Sequence, residues 1–234
     1  MHAHHKVLLA EIEKHQRKRA HSQSNDSYLS SGHRYYDVSV PARRAMSKAW
    51  LKANRGILDK EFVAVLDSLI LGKSHEEKTV ACILLASHAS GREVVGPKKL
   101  DAWLNYLVGW AEIDSLCQNV FKAEEVLGDW PAWERFIRKL SRDKNINKRR
   151  AALVFLTGPV RYSSDKRLAA LAFDMVDALK AERDIIITKA VSWLLRSLTE
   201  NHKHAVATYI ARSRASLPAI AVRETTRKIK TGRK

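Results

Sequence analysis

Lys189-Ala190-Val191-Ser192-Trp193-Leu194-Leu195 is a basic residue followed by small and then large apolar side chains, and the same order of types occurs twice earlier. Arg150-Ala151-Ala152-Leu153-Val154-Phe155-Leu156 repeats it, as does Lys78-Thr79-Val80-Ala81-Cys82-Ile83-Leu84-Leu85. With Ile113-Asp114-Ser115-Leu116 placed between these two earlier copies, the starts fall at 78, 113, 150 and 189, in steps of 35, 37 and 39 residues. That period is close to the period of helix-pair repeats of the HEAT or armadillo kind. Such repeats stack matching helices side by side into a curved solenoid that binds along its concave face.

The segments around these copies also read as helices, and no alternating strand pattern interrupts them. Ser39 or Val40 ahead of Pro41 opens a helix from Ala42 to Asn54, and Asp59 caps another ending at Gly72. Ser74-His75-Glu76-Glu77 has the form of a capping box, opening a helix that ends around Gly91. Pro97 starts a helix to Val108 and Pro131 one to Arg142, while Gly158-Pro159 stops one that begins near Asn147. Ser163 or Ser164 caps a helix to Ala181, and Ile185 to Thr199, His202 to Arg212 and Pro218 to Lys230 complete the series. The expectation is an all-α, HEAT-like helical-repeat solenoid with a concave basic groove, forming a single domain over residues 1–234. Residues 1–25 read as an N-terminal helix and linker, and 223–234 as a basic C-terminal end.

At 234 residues with 45% hydrophobic content, the chain can bury a full-sized core without staples. Its two cysteines, Cys82 and Cys117, sit in apolar helical patterns and read as small buried hydrophobes. No apolar run approaches the roughly 20 residues that span a bilayer, and the N-terminus is amphipathic. His2, His4 and His5 have no second ligand cluster elsewhere, so neither a metal nor a cofactor is expected. The chain carries 42 Lys and Arg against 25 Asp and Glu, a formal charge of +17, which points to nucleic acid as partner. The expected location is the cytoplasm, at the nucleoid where that nucleic acid is DNA, and the expected state is a monomer.

Trp110 and Asp114 stand four apart, so a helix offers an indole and a carboxylate together. Taken alone, that spacing more often means a core aromatic and a capping or solvated acid. Repeat phasing changes the weight, because Trp110, Asp114, Arg150 and Trp193 fall in neighbouring copies of the equivalent helix. A lone carboxylate facing a polyanion is repelled unless it answers a positive charge formed in a reaction. Trp50, Trp103, Trp130 and Trp133 read as core.

Trp110-x-x-x-Asp114, Ile146-Asn147-Lys148-Arg149-Arg150-Ala151-Ala152-Leu153 and Ile187-Thr188-Lys189-Ala190-Val191-Ser192-Trp193-Leu194-Leu195-Arg196, in that order, resemble the DNA alkylation repair glycosylases built of HEAT-like repeats. Pro218-Ala219-Ile220-Ala221-Val222-Arg223-Glu224 looks like the family's closing helix, and Tyr28 with Pro41-Ala42-Arg43-Arg44 looks like its N-terminal portion. The resemblance runs from Tyr28 to Ile229, the block from Gly56 to Lys99 matching only in helix layout. It implies release of N3- and N7-alkylated purines, such as 3-methyladenine and 7-methylguanine, from double-stranded DNA. By the same resemblance Asp114 is the catalytic carboxylate, flanked by Trp110 and Trp193, with Tyr28 also at the substrate. Arg150 would grip a phosphate near the lesion, and Arg43, Arg44, Lys148, Arg149 and Arg196 are candidates for neighbouring backbone contacts.

The chain departs from the family pattern in places. Many relatives have an acid directly after the motif tryptophan, where this chain has Ala111, and a glycine before the N-terminal motif, where it has Asp37. The tryptophan usual in the second repeat is absent, its place falling near Ile70. Two other readings fit the charge and the repeats: a non-catalytic relative that binds DNA of unusual shape, and a helical-repeat scaffold for an acidic protein. Only the enzyme gives Asp114 a task.

Overall fold

The computed structural model describes residues 1–17, 29, 31–118 and 120–233. These contain thirteen helices and no strand, the one pairing of extended backbone being an isolated bridge between Arg34 and Ser74. The chain forms two compact units, Met1–Leu116 and Cys117–Lys234. The boundary between them falls inside a helix, Gly109–Cys117, so no shift of composition marks it.

The first unit holds α1 (Ala3–Lys14), α2 (Val40–Ala53), α3 (Asp59–Ile70), α4 (His75–Ser87), α5 (Ala89–Val94), α6 (Pro97–Trp103) and α7, which begins at Gly109. Helix starts follow the sequence signals at Ser39 and Ser74, whereas Asp59, expected as a cap, is the first helical residue of α3 and Leu58 precedes it without a side-chain cap. Ser39 caps α2 by accepting the Ala42 N–H at 3.3 Å. Ser74 accepts the Glu77 N–H at 3.1 Å while the Glu77 carboxylate accepts the Ser74 N–H at 2.7 Å, which closes the expected capping box. Helix ends follow them less well. α4 stops at Ser87, and α5 restarts after His88, whose Nδ1 accepts the Gly91 N–H at 3.0 Å. Gly91 lies so close to the Phe62 ring that a Cβ there would stand 2.4 Å from it.

α4 is the central helix of this unit, in contact with α1, α2, α3 and α5, and ten of its side chains are buried. α1 is tied to its start by the buried His5, whose Nε2 lies 2.7 Å from Glu77 and whose Nδ1 lies 2.8 Å from the Ser68 hydroxyl. The N-terminal histidines therefore pack the chain, His4 meeting Trp50 edge-on.

The second unit holds α8 (Ala123–Gly128), α9 (Trp130–Leu140), α10 (Ile146–Tyr162), α11 (Lys166–Leu179), α12 (Ile185–Ser213) and α13 (Ala219–Thr231). α10 lies against α12 and α12 against α13, with α9 and α11 packed beside them, the layering of a solenoid in which matching helices are neighbours. Phe121, Trp133, Phe136 and Phe155 form one aromatic cluster with ring centroids 4.9 to 6.4 Å apart.

Two expectations for this unit need correction, the first being the cap of α11, which is Asp165, accepting the Arg167 N–H at 2.8 Å, and not Ser163 or Ser164. Pro159 does not stop α10, which runs on to Tyr162. A proline three residues from a helix end removes one N–H and is otherwise tolerated, because the Ser163 N–H still closes on the Pro159 carbonyl at 3.1 Å. The helices expected on either side of His202 are both present within α12, separated by a kink at His202, whose φ of −129° and ψ of 36° are not helical. α8 was not anticipated, because six residues are too few to show a period.

Truncating the centre of the aromatic cluster should be among the costliest core changes. Phe155→Ala is expected to lower unfolding free energy by about 3–5 kcal/mol, read from urea midpoints with an unchanged denaturant slope.

Candidate functional site

The sequence places Trp110 and Asp114 in α7, and the structure shows how that helix divides its faces. Glu112, Ile113, Leu116 and Cys117 are buried, while Trp110, Ala111, Asp114 and Ser115 are half-buried. The indole and the carboxylate thus share the outer face, one turn apart. Gly109 opens the helix at φ +75°, the left-handed region that favours glycine. The Val108 N–H just before it would otherwise belong to the unpaired start of the helix. Glu112 reaches back and accepts it at 2.9 Å.

Beneath this helix lies a polar cluster that the sequence analysis did not anticipate. The His33 Nδ1 lies 2.9 Å from Glu112 Oε1 and 3.1 Å from Oε2, and the His75 Nδ1 lies 3.3 Å from Oε1. Arg43 Nη1 approaches the His75 Nε2 at 3.4 Å and donates to the Thr79 hydroxyl. A guanidinium only donates, so the His75 Nε2 accepts and its Nδ1 carries the proton aimed at Glu112. Burial pushes the Glu112 carboxyl up, but the bonds from His33, His75 and the Val108 N–H outweigh it and hold the group below its ordinary value. Lys78 and Cys82 on α4 also feel this charge.

The two histidines are held side by side by their backbones. The Arg34 N–H donates to the Lys73 carbonyl at 3.1 Å and the His75 N–H to the Arg34 carbonyl at 2.8 Å. Glu76 then receives the N–H groups of Tyr36 and Val38 at 3.0 and 3.3 Å. Between them Asp37 adopts φ 55°, a conformation that glycine takes without strain and that Asp tolerates better than most residues. This explains how an aspartate can stand where the family pattern has glycine.

The cations expected at phosphates occupy varied surroundings. Arg43 is 7% exposed and turned inward, and its Nε is buried without a hydrogen-bond partner, so it is no surface cation. Burial lowers its pKa. Arg44, its neighbour, is exposed on α2, as are Lys48 and Lys52 along the same face. In the second unit Arg149 is bidentate to Glu182 at 2.7 and 3.0 Å and also donates to the Asp143 and Lys144 carbonyls. Lys148 is buried 3.7 Å from Asp143. Arg150 is buried and donates to the Ile186 carbonyl, which joins α10 to the first turn of α12. Trp193 is half-buried on α12, and Arg196 lies 3.4 Å from Glu224 of α13. Tyr28 lies outside the described residues.

The basic residue that opens a repeat copy is therefore often internal. Lys78, like Arg150, is buried, and its Nζ donates to the Ile70 and Gly72 carbonyls at 2.7 and 2.8 Å. Exposed cations cluster elsewhere. Along α9 and just past its end, the exposed Arg135, Lys139 and Arg142 line an open cleft of about 890 Å³, together with the half-buried Arg138, which is paired with Glu134 and Asp174.

The family profile for DNA alkylation repair enzymes matches residues 8–229. The chain belongs to this family. Among solved structures, a predicted DNA alkylation repair enzyme from Enterococcus faecalis shares the fold at TM-score 0.74 and 17% identity, over 92% of this chain and 98% of that one. The Pseudomonas fluorescens alkylpurine DNA glycosylase AlkC, bound to DNA containing an abasic site analog, is similar at TM-score 0.52 and 16% identity, over 97% of this chain and 62% of that one. No curated protein matches the chain. Among the described residues no helix is long and apolar enough to cross a membrane, and no group of three or more His, Cys, Asp or Glu could hold a metal ion.

The Glu112 cluster carries a pH signature. A carboxyl whose folded pKa lies below its unfolded value, near 4.5 here, stabilises the fold above that value and loses the contribution as pH falls through the folded pKa. Glu77 is shifted the same way: burial pushes it up, and bonds from His5 and Ser74 outweigh that. Glu112→Gln should therefore weaken, without abolishing, the loss of stability below about pH 4.5, measured as urea-unfolding free energy across acidic buffers. An unchanged acid limb would show that Glu112 is not held ionised.

Proposed function

We propose that this family member hydrolyses the N-glycosidic bond of positively charged N3- and N7-alkylated purines in double-stranded DNA. The observation that carries the reading is that Asp114 and Trp110 share the half-buried face of α7 while the helix is anchored by its opposite face. A purine alkylated at N3 or N7 is already cationic. When its bond to the sugar C1′ breaks, the electron pair goes to the base, which leaves neutral, so no strong general acid is needed. The sugar acquires oxocarbenium character, and a carboxylate beside it stabilises that charge as in glycoside hydrolysis. Water then adds at C1′ and loses a proton, for which Asp114 is the acceptor or the group that orients the water.

Trp110 supports the cationic base by stacking and cation–π attraction, worth about 0.5–2 kcal/mol. Trp193, Tyr28, Arg150 and Arg196 are assigned to lesion and phosphate contacts on the family pattern alone. Arg44, with Lys48 and Lys52 on the exposed face of α2, is the better placed of the N-terminal arginines to meet phosphate. Arg43, Lys148 and Arg149 are each tied to partners within their own unit, Thr79, Asp143 and Glu182. Selection rests on the weak glycosidic bond of a cationic lesion, and the protein acts as a monomer.

The test is release of 3-methyladenine and 7-methylguanine from methylated duplex DNA. The wild type should release both, and Asp114→Asn should abolish release while DNA affinity stays within a few-fold. Equal release by Asp114→Asn would sink the assignment of that residue. Binding without release by the wild type would favour a non-catalytic DNA-binding relative. Separately, Trp110→Ala should weaken binding of DNA carrying the cationic lesion by about 2- to 30-fold, the loss of one cation–π contact, and log affinity should fall with log salt by about 0.9 per phosphate contact.

A further inference from the structure

We infer that His33 and His75 are positioning residues, which act through Glu112 to set the orientation of the helix that carries Trp110 and Asp114. The inference rests on the glycosylase reading for its effect on rate, and on the geometry of the first unit for the relay itself.

Successive residues of a helix are rotated by about 100°, so Glu112 points away from the face shared by Trp110 and Asp114. Fixing Glu112 fixes the roll of that face. It is held by groups from three places: His33 ahead of α2, His75 at the first position of α4, and the Val108 N–H at the entrance of α7. A fully buried carboxylate is tolerable only with such donors, so losing any one leaves a polar group in want of a partner. The bond to Val108 also bears on the entry of α7, where Gly109 at φ +75° sets the turn.

The two donors are themselves set by their surroundings. The Arg34 to Ser74 bridge locks their backbones side by side, and Arg43 selects the His75 tautomer that donates to Glu112. The path thus runs from α2 through α4 to α7, with each group's role fixed by its donor or acceptor chemistry. His75 also packs its ring 5.7 Å from Tyr35, which limits its rotation. A carboxylate serving a developing cation is sensitive to placement, because a shift near 1 Å can cost on the order of 100-fold in rate.

Asparagine and glutamine separate this role from plain structural support. An asparagine amide can occupy the place of a histidine Nδ1, and a glutamine amide the place of its Nε2. His75→Asn and His33→Asn keep a donor toward Glu112, whereas His75→Gln and His33→Gln do not. Single-turnover release of 7-methylguanine from methylated duplex DNA should fall about 10- to 100-fold in the glutamine variants and in Glu112→Gln, with DNA affinity within a few-fold. The asparagine variants should recover most of that rate.

Hydrogen exchange of the α7 amides, read in the same proteins without DNA, should rise in the glutamine variants but not in Asp114→Asn. If the wild type releases no base yet exchange follows this pattern, the relay stands and the glycosylase reading fails. Asparagine variants no better than glutamine, or α7 exchange unchanged in Glu112→Gln, would overturn the relay.

Discussion

Charged groups taken out of water must find partners of opposite character, and in the first unit five of them do so. Arg43, Glu76, Glu77, Lys78 and Glu112 are each no more than 7% exposed. Left unpaired, any of them would cost several kcal/mol. Their partners are largely the loose ends of secondary structure: Glu77 closes the start of α4, Lys78 the end of α3, Glu112 the start of α7, and Glu76 the extended backbone of Tyr36 and Val38. Short helices have many such ends in proportion to their length. The buried charges are joints between these helices.

That arrangement explains which parts of the fold were legible in the sequence. Ser74 and Glu77 are three residues apart and announce their bond, as do Ser39 and Pro41. All-helical architecture likewise needs only local pattern. Pro159 misled because a proline forbids one hydrogen bond and not a helix, and the sequence does not say whether that bond falls in the last turn. α8 carried too few residues to be seen.

The candidate site was legible in one half of its design. Trp110 and Asp114 showed themselves by spacing, and α7 does present them on one face. The support beneath them was invisible, because His33, His75 and Glu112 lie 79 and 37 residues apart and nothing local links them. Only the position of Glu112 between the motif residues, on the turn opposite them, hinted that an acid there faced inward. Arg43 shows the same limit from the other side. A basic residue beside Arg44 in a strongly basic chain reads as a surface cation, yet one of the pair is exposed and the other is a buried donor.

The His75 tautomer has a consequence for how this chain can vary. Arg43, His75 and Glu112 form a donor–acceptor series in which each member has meaning only through the next. A neutral residue at 43 would free His75 to turn its proton away, and an apolar residue at 112 would leave two imidazole N–H groups without an acceptor. Neither intermediate is comfortable, so the residues at 33, 43, 75 and 112 should be inherited as a set. Descendants would either retain all four or replace them together with a purely apolar seam.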